Sequence, residues 1–335
     1  MNESFQDPDI QEIVFRTKSL PYHGVTAVVT GGAGFLGSTL SEVLLGLGAR
    51  VLCVDNLSSG RMENISRLVG RDGFEFMDHD ISMPLEIDEK VDYVFHMASR
   101  ASPLEFTEYP IQILKSNTLG TWNALGIAKK HGARVLFTST SEIYGEAAIF
   151  PTPETYRGNV NTLGIRGCYD EAKRAGEAYC MAYYRQHGVD VRIVRIFNTF
   201  GPRMRSDGVY GRVIPRFIDQ AQNNLDITIF GDGSQTRSFC YVTDQVTGLL
   251  TLAGRDGLAG EVVNIGNPFE YTVSELAAII IRLTGSSSGL SYEPLPQDDP
   301  MRRLPDISKA ERLLDFKPRI GLEEGLVRII ERISV

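Results

Sequence analysis

The run Val25-Thr26-Ala27-Val28-Val29-Thr30 passes straight into Gly31-Gly32-Ala33-Gly34-Phe35-Leu36-Gly37. No other junction in the chain constrains the fold as much. A short apolar, β-branched run that ends in glycines reads as a buried strand. The apolar positions that follow (Phe35, Leu36, Leu40, Val43, Leu44, Leu47) have helical spacing and stop at Gly48. Further strand-like runs occur at 51–54, 74–77, 93–97, 134–138 and 191–196, and helical patterns cover roughly 110–131 and 169–187. Alternation of this kind predicts an α/β fold with a doubly wound parallel sheet covered on both faces.

Beyond about residue 197 the rhythm breaks, and Gly, Pro and Arg become frequent. That change predicts a smaller α/β lobe over the carboxyl ends of the strands, where ligands of open sheets bind. The expected division is an N-terminal extension over 1–24, partly disordered or packed on the surface. A main domain follows over 25–196 plus about 240–268, with a substrate-binding lobe over about 197–239 and 269–335. A chain of 335 residues buries enough core to need no disulfide or metal staple. Cys53, Cys168, Cys180 and Cys240 form no Cys-x-x-Cys pair. They read as small apolar residues in a reducing compartment, and no metal site is expected. No apolar run reaches the roughly 18 residues of a membrane span, and residues 1–21 lack a signal-peptide pattern. The expectation is a cytoplasmic protein with no membrane partner. A net charge of −8 argues against general nucleic-acid binding but leaves room for a locally basic anion site.

Two glycine spacings coexist in the first turn. Gly32, Gly34 and Gly37 satisfy G-x-G-x-x-G, and Gly31, Gly34 and Gly37 satisfy G-x-x-G-x-x-G. Either lets the backbone approach a pyrophosphate, with Phe35 and Leu36 opening a helix whose N-terminal N–H groups face the anion. Asp55 ends the second strand, where a carboxylate accepts from both ribose hydroxyls and repels a 2′-phosphate, favouring NAD over NADP. Arg61 and the run Ser58-Ser59-Gly60 keep a phosphate-binding alternative open. Asp80 and Ile81, after the third strand, are placed to meet the adenine.

Tyr169 and Lys173 stand at i and i+4 on one predicted helix face. A phenol titrates near 10, and a neighbouring ammonium together with an oxidised nicotinamide would favour its phenolate. Thr138-Ser139-Thr140-Ser141-Glu142 lies one segment earlier, at a strand's carboxyl end. A hydroxyl there, Thr140 or Ser141, is expected to hold the substrate hydroxyl that Tyr169 deprotonates.

Several segments, taken together, resemble the extended short-chain dehydrogenase/reductase family from about residue 25 onward. They are Thr138–Gly145, Pro153-Glu154-Thr155-Tyr156, Gly158-Asn159-Val160-Asn161, Cys168–Arg174, Arg195–Thr199, Gly231–Phe239 and Glu293–Pro300, followed by Arg302-Arg303 and Pro305-Asp306-Ile307. The resemblance implies a Rossmann-type domain, tightly held NAD and a nucleotide-sugar substrate. Within the family the likeness is greatest to the branch that decarboxylates UDP-glucuronate. The 4,6-dehydratases carry an Asp-Glu pair where this chain has Ser141-Glu142, and simple epimerases carry small or apolar residues there. A nucleotide-sugar 4-epimerase is the alternative.

The resemblance further implies cofactor contacts at Asn56, Met97, Ala98, Ser99, Asn117 and Thr199. Glu142 and Arg303 would work near C5 and the carboxylate, with Arg302 as the alternative to Arg303. Asn198, Arg237 and Arg212 would hold the UDP diphosphate. Phe230 would flank the uracil, and Lys115 would reach substrate or cofactor. Trp122 and the aromatic residues of 179–184 lie on helices used for homodimer contacts. Arg100, where a Pro is usual, and Arg157, where an aromatic is usual, depart from the pattern and bear on which sugar binds.

Overall fold

β1 (Thr26–Thr30) sits inside a seven-stranded sheet in the computed structural model, which describes residues 6–205, 212–296 and 299–333. Its parallel neighbours are β2 (Arg50–Asp55) on one side and β4 (Tyr93–His96) on the other, with β3 (Phe74–Asp78) beyond β2. Outward from β4 follow β5 (Arg134–Thr140), β6 (Val191–Ile196) and the strand Val262–Ile265, all parallel. Strand order therefore reverses between β1 and β4, which opens a crevice at their carboxyl ends. Successive residues of a strand point to opposite faces. Ala27 and Val29 accordingly join one core cluster and Val28 the other.

The covering helices include α2 (Phe35–Gly46), α4 (Pro110–His131) and α5 (Gly167–His187), with the short α3 (Pro103–Glu108) before α4. The alternation is incomplete on one side. β2 and β3 are joined through a single 3-10 turn, Met62–Asn64, and no helix lies between β3 and β4. That last connection contains Pro84 and the acids Glu86, Asp88 and Glu89, which present no apolar helical stripe. Among the described residues no helix is long and apolar enough to cross a membrane.

Residues expected to form a peripheral extension are instead built into the core. α1 (Pro8–Thr17) starts at Asp7, whose Oδ1 accepts from Asp9 N at 3.0 Å. Ile10 and Ile13 are buried in the main cluster. Buried Asp9 accepts from the Tyr241 hydroxyl at 2.7 Å and from Arg328 at 2.9 Å. Arg16 pairs with Asp244 at 2.8 Å, and the Tyr22 hydroxyl donates to Leu250 O at 2.6 Å. Only Met1–Phe5 of this stretch lie outside the described residues.

The smaller lobe sits on short sheets. Strand Thr236–Ser238 pairs antiparallel with Glu270–Thr272 and parallel with Arg302–Arg303, which places Arg303 directly beside Arg237. Ile227–Phe230 pairs with Leu290–Glu293. Gln297 and Asp298 of the Glu293–Pro300 segment lie outside the described residues.

If α1 belongs to the core, Ile13→Ala should cost about 2–4 kcal/mol, as buried Ile-to-Ala changes do. Urea unfolding measures this, and an unchanged midpoint would return α1 to the surface.

Candidate active site

A cavity of about 660 Å³ opens at the carboxyl ends of the central strands, between sheet and smaller lobe. Its first wall is the glycine turn. Gly31 has φ +70°, and a side chain there would come within 2.7 Å of Ala98 Cα. A Cβ on Gly37 would lie 2.1 Å from Gly31 O, so only glycine closes the turn onto α2. No side chain caps the start of α2 at Gly34, and Phe35 and Leu36 line the cavity there.

Asp55 is buried at the end of β2. Its Oδ2 accepts from Ala33 N and its Oδ1 from Leu57 N, both at 2.9 Å. Burial pushes its carboxyl up, and these two bonds oppose the shift. Asn56, Ser58, Ser59 and Gly60 line the same end of the cavity, as do Asp80 and Ile81. Arg61 is not among the lining residues.

Met97, Ala98 and Ser99 form the facing wall. Their backbone is held from beneath: Met97 N donates to Thr30 Oγ1 at 3.2 Å, and that hydroxyl meets His96 Nδ1 at 2.7 Å. Burial pushes His96 down to about 3, so it is neutral. Asn117, expected at the cofactor, does not reach the cavity. Its amide donates to Ser99 Oγ and to Ile113 O, each at 2.9 Å, so it supports Ser99 from behind. Thr199 lines the cavity, and its hydroxyl donates to Gln245 at 3.1 Å.

Tyr169, Lys173, Thr140, Ser141 and Glu142 all reach this same space, from the start of α5 and the end of β5. The Tyr169 ring stacks on Phe106, centroids 5.1 Å apart, and its phenol hydrogen-bonds the Thr140 hydroxyl. Burial pushes that phenol up to about 12, while the charge of Arg212 and the Thr140 bond pull it down. The expected acidification by Lys173 is not what the geometry supplies. Lys173 Nζ lies 6.0 Å from the Tyr169 ring centre and donates to Thr138 O at 2.7 Å. Burial pushes the ammonium down to about 7. Arg212, from the smaller lobe, is the cation that favours the phenolate.

Glu142 sits between two arginines. Arg303 Nη2 donates to it at 3.2 Å, and Arg166 makes a shorter bond to the same oxygen. Burial raises its carboxyl, but Arg303 and Arg166 outweigh that and hold it well below the usual carboxylate range. The two arginines therefore favour the Glu142 anion.

Arg303 is buried behind Glu142. It bonds Gly145 O and does not line the cavity, contrary to the expected substrate contact. Arg302 is excluded as its substitute because it pairs with Glu270, with Nε at 2.9 Å from Oε1. Arg237, Asn198, Lys115 and Arg212 do line the cavity. Arg237 is braced by Asp299 at 2.9 Å. Phe230 lies off the cavity with the Arg216 guanidinium 4.8 Å above its ring. Arg100 lines the wall but is taken by Glu105 at 2.6 Å, and exposed Arg157 stays outside.

Sequence reasoning missed Arg166, Asp299 and Glu105. Arg166 had an available signal: three residues before Tyr169, it falls on the tyrosine's side of the same helix start. Among the described residues no cluster suited to a metal appears.

The pattern of the NAD dependent epimerase/dehydratase family matches residues 27–266. The chain belongs to that family. UDP-glucuronic acid decarboxylase 1 of Danio rerio is 48% identical over 307 residues, covering 92% of this chain and 72% of that relative. UDP-glucose 4-epimerase of Thermotoga maritima, solved with UDP-glucose, superposes with a TM-score of 0.84 at 32% identity, over 92% of this chain and 99% of the other. UDP-glucuronic acid 4-epimerase of Bacillus cereus, solved with a fluorinated UDP-glucuronic acid and NAD, gives 0.82 at 27% identity, over 92% and 99%.

The residues fit NAD on structural grounds. The turn has room only for glycine, the α2 N-terminus is uncapped, and a buried carboxylate is fixed one strand away. Asp55→Asn should weaken NAD binding about tenfold, by loss of charge-assisted hydrogen bonds, and narrow the NAD/NADP preference. Fluorescence titration with both cofactors measures this, and an unchanged ratio would remove Asp55 from ribose recognition.

Proposed function

We propose that the chain decarboxylates UDP-glucuronate to UDP-xylose, with C4 oxidised and then reduced again so that NAD is not consumed. One juxtaposition carries the reading. The Tyr169–Thr140 pair, the Glu142 carboxylate with Arg166 and the glycine cradle share one cavity. The names of relatives up to 48% identical support it.

Bound NAD supplies reversible hydride chemistry at C4. Tyr169, as phenolate, takes the proton of the C4 hydroxyl while Thr140 holds the oxygen. The product is a 4-keto uronic acid, in which the carboxyl is β to a ketone. The C5–C6 bond then breaks, CO2 leaves, and the electron pair passes into the C4 carbonyl as an enolate. Tyr169, now protonated, and Thr140 donate to that oxygen. A proton from solvent water adds at C5, and on reduction at C4 Tyr169 returns its proton to the C4 oxygen, which completes the pentose and regenerates the phenolate. Arg237, Asn198 and Arg212 are placed for the diphosphate, where forked charge-assisted bonds suit phosphate oxygens.

The 4-epimerase alternative draws support from the solved neighbours. Supplying UDP-glucuronate separates the two: the proposal expects CO2 and a pentose nucleotide, whereas a product of unchanged mass means epimerisation. Tyr169→Phe should lower turnover by about 10²–10⁴-fold with NAD still bound. Because the base works deprotonated and is pushed up to about 12, turnover should rise with pH from neutrality. Arg212→Gln should move that rise to higher pH, since it removes a cation favouring the phenolate. A rate flat in pH would remove Tyr169 as the base.

We also propose a homodimer through α4 and α5, which leave Trp122 53%, Leu119 39%, Tyr179 38% and Tyr184 36% exposed. Apolar residues on two packed helices suit a second copy. Light scattering should give twice the chain mass, and Trp122→Glu should yield monomer. A monomeric parent chain would end this reading. The cysteines, all free, support a reducing, cytoplasmic setting.

A further inference from the structure

We propose that Tyr144, a residue outside the cavity, is a positioning residue for the second half of the reaction, loss of CO2 and protonation at C5. The proposal rests on the decarboxylase reading given above.

Tyr144 ends the short turn Ser141–Tyr144 after β5, is 1% exposed and does not line the cavity. Its hydroxyl donates to Asn264 Oδ1 at 2.7 Å and accepts from Arg195 Nη1 at 2.9 Å. Both partners are fixed in turn. Arg195 forks onto Glu177 of α5, with Nε 2.9 Å from Oε1 and Nη2 2.8 Å from Oε2. Asn264 donates to Thr152 O at 2.9 Å and to Asp306 O at 3.1 Å. Burial pushes the Tyr144 hydroxyl up to about 12, so it remains a donor at neutral pH. A buried hydroxyl that gives one bond and takes one, from groups that are themselves held, has a single place to be.

That place sets Arg303 from two directions. Tyr144 leads directly into Gly145, whose carbonyl takes Arg303 Nη1. Gly145 has φ +56°, and a Cβ there would run into Asn159 O, so the turn has little freedom in aiming that carbonyl. From the other direction, Asn264 holds Asp306 O, and Asp306 N donates to Thr152 O at 3.0 Å. Asp306 follows Arg303 closely in the chain. One hydroxyl therefore joins the acceptor of Arg303 to the backbone that carries Arg303. Arg303 in turn holds Glu142 from behind, at 3.2 Å.

The two halves of the reaction stand on different supports. Oxidation at C4 uses Tyr169 and Thr140, and Thr140 is fixed in the sheet opposite Ile196. The carboxyl sits on the neighbouring carbon, and Glu142 lines the cavity with its N–H on the Thr140 hydroxyl at 3.2 Å. Removing the Tyr144 hydroxyl leaves its ring packed near Tyr156 and Phe197, at 6.2 and 6.1 Å between centroids. It unties Asn264 and lets Arg303 and Glu142 shift together. A misplacement of about 1 Å at a reacting centre can cost about 10²-fold.

The test mixes NAD-loaded enzyme with UDP-glucuronate in a single turnover and follows bound NADH by absorbance, together with released CO2. In Tyr144→Phe, NADH should form within about twofold of the parent rate, while its decay and CO2 release slow by about 10- to 100-fold. Bound NADH should then build up above the parent level. Equal slowing of NADH formation and decay would make Tyr144 merely structural and overturn the proposal. So would an unchanged decay. If Tyr144→Phe melts early or loses NAD, the double variant Tyr144→Phe/Asn264→Leu carries the test, since replacing both partners by apolar groups of similar shape costs folding little. Selective slowing of NADH decay in that variant supports the proposal, and its absence, failure to hold NAD included, overturns it. Parent enzyme that releases CO2 while the variants match its NADH decay sinks this assignment alone. Parent enzyme that releases no CO2 from UDP-glucuronate sinks the underlying reading and this one with it.

Discussion

The site depends on one clasp: Glu142 held from two sides by arginines that come from different parts of the fold. Glu142 follows β5, Arg166 precedes α5, and Arg303 lies on a strand of the smaller lobe. A buried carboxylate costs several kcal/mol unless it is paired, and removing a single partner leaves that cost exposed. The clasp therefore holds the lobe in register with the sheet. Arg303 also stands beside Arg237 in the strand pair, so its position and that of the diphosphate arginine are set together.

Burial acts on the Tyr169–Lys173 pair in opposite senses, up for the phenol and down for the ammonium. Each shift disfavours the charged form. Helical spacing brings the two groups to one wall, but the ammonium's hydrogen bond goes to Thr138 O and not to the phenol. Control of the phenol passes to residues from elsewhere in the chain, Thr140 and Arg212.

What was legible in the sequence was periodic or glycine-bound. Strand alternation and the Gly31–Gly37 turn announce themselves because backbone geometry demands those residue types. α1 escaped because its inward face mixes Ile10, Ile13 and Val14 with the polar Asp9 and Thr17, and its burial depends on partners some 230 to 320 positions away. Arg303 was legible as a site residue, but its burial behind Glu142 was not, since only the tertiary fold brings Gly145 O to it. Asn117 and Phe230 were displaced for a similar reason. One turns to Ser99 and the other packs under Arg216. Arg166 had only its spacing to Tyr169 as a signal, and its pairing with Glu142 and its place over Phe106 emerged with the tertiary fold.

The helix at the chain's beginning also governs the order in which the molecule can be completed. Asp9 bonds Tyr241 and Arg328, and the latter lies 319 residues later. A ribosome makes this helix 319 residues before it makes that partner. Until then Asp9, Ile10 and Ile13 have an unfinished pocket, so the nascent chain carries an unpaired acid and exposed isoleucines over that whole interval. The α1 segment is thereby a late closure of the fold, although it emerges before the elements that complete its pocket.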